Sequence, residues 1–229
     1  KIEKAFNVTV PLKDIFRHPT ISNIGEMLPG LHSVAVSLKK VEHKEYYPVS
    51  SAQKRLMAVQ SMSKEDTSYN IPFVLKIDGQ LDAKKLSNAL EALVDRHESL
   101  RTSFDIVDSE PVQKVHKKVN LKKIFREEPE ENLQYIRKEF IRPFDLGKAP
   151  LFRTELIKVS DTRHYLLLDF HHIVFDGTSL GVFLKELSSL YNEETLPELK
   201  YQYKDFAAWQ NELLSSDAIK PQEEYWLSM

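Results

Sequence analysis

The chain has 229 residues, enough for one large domain or for one domain and a fragment. Its 32 basic and 34 acidic residues leave a net charge of −2, which gives no electrostatic reason to bind nucleic acid or an anionic membrane. Absence of cysteine excludes disulfides, thiolate metal sites and a cysteine nucleophile, and the 41% hydrophobic content excludes disorder.

The opening Lys1-Ile2-Glu3-Lys4 lacks the apolar stretch of a signal peptide, and no run nears the roughly 20 apolar residues of a membrane helix, so a cytoplasmic location is expected. Residues 1–28 carry an amphipathic stretch ending near Phe6-Asn7, then Val10 to Phe16, then a short helix through Ile21, Ile24 and Met27-Leu28, capped by Thr20 or Ser22. So few apolar residues cannot bury a core alone, and the segment reads as the tail of a domain that begins upstream. After Pro29-Gly30, residues 29–45, with Ser33, Ser37, Lys39, Lys40 and Lys44, read as a linker.

From Tyr46 onward, strands alternate with helices, which predicts an α/β sandwich. Ala52 to Met62 has helical spacing through Leu56, Val59 and Met62. Asn70 to Asp78 is a strand with Ile71, Phe73, Leu75 and Ile77 on one face, and Asp82 caps a helix through Leu86, Leu90, Leu93, Val94 and His97. Thr102 to Ile106 and Pro111 to Val115 form a hairpin, and Asn132 to Phe140 a helix. Leu151 to Val159 and His164 to His172 are antiparallel strands, the second bearing the apolar run of a buried central strand. Ser179 to Tyr191 is an amphipathic helix, and Tyr203 to Leu227 is helical, with Phe206, Trp209, Leu213, Tyr225 and Trp226 as packing residues.

The six glycines form neither a dinucleotide fingerprint nor a phosphate-cradling loop, and the eight histidines contain no His-Glu-x-x-His, so neither nucleotide nor metal chemistry is expected. The informative string is His171-His172-Ile173-Val174-Phe175-Asp176-Gly177. On a strand, adjacent side chains point to opposite faces, so one histidine meets a channel while the other packs inside. A lone histidine on an apolar strand is ordinarily a core residue; the doublet followed by Asp-Gly shifts the balance towards chemistry. An ordinary carboxylate has a pKa of about 4 and histidine about 6.5, so histidine is the base of choice near neutrality. Asp176 is then expected to pair with an arginine and hold the loop; Arg96 and Arg101 are candidates for that pairing, and the partner stays open.

This string resembles the active-site motif of the condensation domains of nonribosomal peptide synthetases, which share the chloramphenicol acetyltransferase fold. Three further strings resemble the family's other motifs in the family's order: Ser50-Ser51-Ala52-Gln53-Lys54-Arg55-Leu56, Arg96 to Phe104, and Tyr203 to Trp209. Met57 stands where an aromatic is commoner. Val10 to Ile21 is similar to the closing helices of a peptidyl carrier domain, whose phosphopantetheine serine would lie upstream of Lys1.

The resemblance implies an incomplete carrier domain at 1–28, a linker at 29–45, and the N-terminal lobe of a condensation domain at 46–229, whose second half is absent. It implies peptide antibiotic biosynthesis, in which a carrier-bound aminoacyl amine attacks a peptidyl or acyl thioester on an upstream carrier, and the opening motif resembles the subclass joining an L-configured donor to an L-configured acceptor. His172 takes the base or positioning role, and the Gly177 backbone N–H is the oxyanion donor to expect. The partners implied are upstream and downstream carriers and adjacent synthetase domains. No cofactor is bound directly; the 4'-phosphopantetheine arms belong to the carriers. The alternatives are an epimerisation domain of the same superfamily, or a fragment that contacts carriers without turnover.

Overall fold

In the computed structural model, the described residues are Val10, 12–28, 38–121 and 123–229. They fall into two compact units: residues 38–212, and a second containing the described residues before 38 together with 213–229. The stretch ending near Phe6-Asn7 and the linker residues 29–37 lie outside the described residues.

Two short helices, α1 (Leu12–Arg17) and α2 (Ile21–Met27), occupy the head of the chain. Thr20, not Ser22, caps α2, its side chain accepting the Asn23 N–H at 3.3 Å. No residue of α2 is buried, and Phe16 and Ile21 are exposed.

The large unit is mixed α/β, as the sequence predicts. Strands β1 (Tyr47–Pro48), β3 (Thr102–Val107) and β4 (Glu110–Val115) form a small sheet in the order β1-β4-β3, the last two as the expected hairpin. The main sheet has the order β2-β7-β6-β5, from β2 (Asn70–Asp78), β5 (Lys123–Glu127), β6 (Phe152–Ser160) and β7 (Arg163–His171). β7 runs antiparallel to both neighbours, whereas β5 is parallel to β6. The helices are α3 (Ser51–Met62), α4 (Ala83–Arg96), α5 (Leu133–Phe140), α6 (Gly177–Tyr191) and α7 (Tyr203–Leu214).

The central position of β7 follows from its side chains. Leu166, Leu168 and Phe170 pack with Leu86, Leu90 and Leu93 of α4 and with Phe183 and Leu187 of α6. Tyr165 and Leu167, on the other face, meet Ile136 and Phe140 of α5. Each such side chain contributes about 1.5–3 kcal/mol when fully buried, so a strand apolar on both faces belongs inside the sheet. The same alternation assigns Asp169 and His171 to the α5 face.

Two expectations need correction. In α3, Val59 and Met62 are 38% and 86% exposed, and the residues that are buried are Gln53 and Gln60. Polar partners explain this: Ser50 and Gln53 close a capping box at the start of the helix, and Gln60 is hydrogen-bonded at its end. The helix expected over 203–227 is two, α7 and α8 (Lys220–Leu227), parted by a turn that Ser216 caps, with Pro221 in the first turn of α8. Tyr225 and Trp226, expected to pack, are 55% and 72% exposed.

Residues 38–45 have no regular structure, yet they are tied to the large unit. The Val41 N–H donates to Asp205 Oδ1 at 2.9 Å, and Glu45 pairs with Lys114 at 2.8 Å.

Candidate active site

β7 ends at His171, and the turn that follows carries His172 to Asp176 into α6. Its side chains alternate. Ile173 and Phe175 are buried, His172 and Asp176 are exposed, and Val174 lies between. Phe175 stacks on Phe170, ring centroids 3.9 Å apart, and Phe170 stacks on Phe152 at 5.3 Å, while Ile173 joins a second cluster with Val49, Phe104 and Leu151. These two anchors fix which way the histidines face.

His171 is 1% exposed and lies between the Tyr69 and Phe144 rings. Its Nδ1 accepts the Ile173 N–H at 3.1 Å, and its Nε2 lies 3.2 Å from Gln60 Oε1. Burial, with the neighbouring His172 adding to it, pushes its pKa down to about 4. It is a neutral, fully engaged ring with no free nitrogen for substrate. The His172 backbone N–H donates to Tyr69 O at 2.8 Å, and the exposed residue lines a cavity of about 550 Å³. One histidine is packed and one open, as expected, but the strand stops at His171, so His172 faces outward from the turn and not from a strand position.

The cavity is lined by Ala52, Arg55, Leu56 and Val59 of α3, by Tyr69, Ser99 and Tyr203, and by the turn from His172 to Asp176 with Ser179. Apolar walls with a few polar groups are the usual make-up of a small-molecule site. Arg55, Tyr69 and Ser99 were not singled out individually in the sequence, and only the structure gathers them here.

Asp176 does not meet an arginine among the described residues. It is the N-cap of α6: Oδ1 accepts the Ser179 N–H at 2.8 Å and the Ser179 hydroxyl at 2.7 Å. Those two hydrogen bonds outweigh burial and hold its pKa below the usual carboxylate range. Gly177 is the first residue of α6, where a backbone N–H has no partner within the helix.

Arg96 and Arg101 are likewise engaged away from Asp176 and the histidines. Arg96 Nε and His97 Nε2 share Glu186 Oε2 at 3.0 and 2.6 Å, joining the end of α4 to α6. Arg101 donates to His116 O at 2.6 Å and lies 3.7 Å from Glu98, which also holds Lys204 at 2.8 Å. Glu186 sits on the face of α6 turned towards α4, and an acidic residue there is a ready partner for Arg96. Below His171, Asp169 is fully buried, with Asn70 Nδ2 at 2.8 Å and Arg153 Nε at 3.8 Å; burial pushes its pKa up to about 6 against the pull of Arg153. Among the described residues no group of three or more His, Cys, Asp and Glu is placed to hold a metal ion, and no helix is long and apolar enough to cross a membrane.

Residues 43–229 match the family model of the condensation domain. The chain belongs to the condensation domain family. This condensation-family chain is 46% identical to bacitracin synthase 3 of Bacillus licheniformis over 230 positions, covering 100% of the chain and 4% of that protein. The complex of the X-domain and OxyB from teicoplanin biosynthesis contains a similar chain at 28% identity and TM-score 0.73, covering 83% of this chain and 44% of that one. The starter condensation domain of rhizomide synthetase RzmA aligns at TM-score 0.73 and 21% identity, over 81% of this chain and 48% of that one, a likeness of fold. The chain thus spans a small part of bacitracin synthase 3 and under half of each solved chain.

Proposed function

We propose that the chain is the N-terminal lobe, over 46–229, of a nonribosomal peptide synthetase condensation domain, preceded by a linker at 29–45 and the closing helices of a peptidyl carrier domain at 1–28. The observation that carries this reading is the open His172 beside a packed His171 in the wall of a cavity of about 550 Å³. The substrates are acyl and aminoacyl groups on the phosphopantetheine arms of upstream and downstream carriers. A flexible arm of amides and methylenes suits a cavity whose walls mix Leu56, Val59 and Val174 with Tyr69, Ser99 and Arg55.

His172 holds the α-amine of the acceptor in line, or takes its proton, as the amine nitrogen attacks the thioester carbonyl carbon. The carbon–sulfur bond then breaks, the proton passes to the departing sulfur, and an amide and a free thiol result. An α-ammonium has a pKa of about 8, so imidazole is matched to this transfer, which is worth about 10² to 10⁴-fold. The Gly177 N–H at the start of α6 is the donor we assign to the oxyanion. Asp176 serves by capping α6 and so fixing the turn. Arg96 and Arg101 support the site at one remove, by bracing α4 against α6 and the β3–β4 hairpin. The opening string Ser50-Ser51-Ala52-Gln53 favours an L-configured donor and an L-configured acceptor over epimerisation.

The test uses the complete domain with loaded carriers. His172→Ala that folds but forms no product supports the role, whereas wild-type turnover by that variant rejects it. Feeding D- and L-configured donors separates the stereochemical classes. A second reading, in which the chain only docks partners, is favoured by its likeness to an X-domain solved in complex with OxyB; stable carrier binding with no turnover by the complete domain would select it.

A further inference from the structure

We infer that Gln60 is a positioning residue for this site: it dictates which nitrogen of His171 carries the proton, and through that choice it fixes the turn that presents His172. The inference rests on the proposed role of His172, but its core concerns hydrogen bonding and can be tested without turnover.

Gln60 lies two residues before the end of α3, is 6% exposed, and stands between the helix end and the end of β7. Its Nε2 faces three carbonyls, Ser63 O at 3.3 Å, Lys64 O at 3.4 Å and Asp66 O at 3.5 Å. Only an N–H group is compatible with a ring of carbonyl oxygens, so the amide cannot flip, and Oε1 must point at His171. A neutral imidazole has one donor and one acceptor. Gln60 Oε1 accepts, so His171 Nε2 donates and Nδ1 is left as the acceptor for the Ile173 N–H at 3.1 Å. The polarity therefore runs in one direction, from Ile173 N–H through His171 and Gln60 to the carbonyls after α3.

Reversing the tautomer would set two N–H groups against each other at Ile173, the residue next to His172. A buried donor left without an acceptor loses its hydrogen bond to water with nothing in return, so the reversed ring is disfavoured. Ile173 anchors the turn among Val49, Phe104 and Leu151, so its N–H is the point where the ring's protonation reaches the backbone of the turn.

The experiment is long-range proton–nitrogen NMR on the chain carrying 15N-histidine, with amide exchange at Ile173. The wild type is expected to show His171 protonated at Nε2 and bare at Nδ1 from pH 5.5 to 8 (about the range spanning the ordinary histidine pKa). Gln60→Met removes the acceptor, and is expected to lower the Nε2-protonated fraction and speed Ile173 exchange about tenfold. Gln60→Glu keeps an acceptor and is expected to retain the Nε2-protonated ring at pH 7, although its carboxylate faces the carbonyls and lowers thermal stability. A wild type protonated at Nδ1 overturns the inference, as does Gln60→Met with an unchanged ring and unchanged exchange. Should Gln60→Met not fold, the wild-type tautomer and its retention in Gln60→Glu decide. In the complete domain, Gln60→Met is expected to lower kcat about tenfold with KM for the acceptor little changed, and Gln60→Glu to restore part of it. NMR results as expected, with condensation absent even in the wild-type domain, would uphold the Gln60 role and reject the catalytic reading instead.

Discussion

Asp176 Oδ1 accepts two hydrogen bonds from the same residue, the backbone N–H and the hydroxyl of Ser179, at 2.8 and 2.7 Å. The carboxylate that closes the histidine motif is thereby the cap of α6, and its expected behaviour is that of a cap. Asp176→Ala is expected to cost about 1 kcal/mol, and Asp176→Asn a few tenths, because asparagine caps equally well. The pKa is lowered in the folded state, so this stabilisation is complete above the ordinary carboxylate pKa of about 4 and is lost as the pH falls below it. Thermal melts at pH 7 and pH 3 check both points; a large loss with Asp176→Asn at pH 7 would restore the arginine-pairing expectation.

His171 and Asp169 work in opposite directions on acid stability. The ring is held neutral, so its contribution is complete above pH 6.5 and is lost as the pH falls from 6.5 towards about 4, a gap on the order of 3 kcal/mol. The carboxyl of Asp169 has a folded pKa raised to about 6, so the folded state binds the extra proton between about 6 and 3.8 and gains stability as the pH falls through that window. Asp169→Asn should therefore lose stability more steeply between pH 6.5 and 4 than the wild type, and His171→Gln less steeply. Denaturant unfolding at several pH values reads the slopes, and parallel slopes in all three proteins would refute the assignment.

Glu186 meets Arg96 and His97 at once, with side-chain exposure of 12% against 16% and 22%. Burial acts to raise its pKa, and the bonds from His97 and Arg96 outweigh it. Glu186→Gln leaves two partners facing an amide and is expected to destabilise by about 3 kcal/mol, the lower end of the range for breaking a buried pair. Combining it with Arg96→Gln should cost much less than the sum of the two single changes. Additive losses would show that the pair is not coupled.

A channel needs two walls, and the proposed reaction brings two carrier arms to one histidine. The chain alone, given loaded upstream and downstream carriers, is expected to form no detectable peptide, since positioning worth about 7–11 kcal/mol of barrier lowering needs the second wall. Mass spectrometry of carrier-bound products checks this, and turnover equal to that of the complete domain would sink the two-lobe argument.

The strands and helices that position the site were legible wherever one period dominated. β2 shows Ile71, Phe73, Leu75 and Ile77 at intervals of two, and α4 shows Leu86, Leu90, Leu93 and Val94 at helical intervals; both pack on the core as read. β5 is not legible in the sequence, because Lys123-Ile124-Phe125-Arg126-Glu127 lacks alternation and the strand is specified by pairing with β6. In α3 the apolar spacing misled, since a helix end can bury amides when carbonyls and a histidine satisfy them, and sequence periodicity has no symbol for a satisfied glutamine. The opposite facing of His171 and His172 is expected from strand geometry, although His172 takes its outward place from the turn just past β7. The partner of Asp176 does not follow from the sequence, because a carboxylate before Gly-Thr-Ser can serve either as a helix cap or as an ion-pair partner, and only the arrangement of α6 separates the two.

The in-out order of residues 171 to 176 also limits how this region can vary. His171, Ile173 and Phe175 occupy interior positions, with Phe175 stacked on Phe170, and His172 and Asp176 take the outward ones. Losing or gaining one residue there would exchange the two sets, pushing His172 into the aromatic stack and Phe175 into the cavity. The segment can thus accept replacement at the half-buried Val174 more readily than a change in length, and any exchange of this turn between related chains must place its joints outside residues 171 to 176.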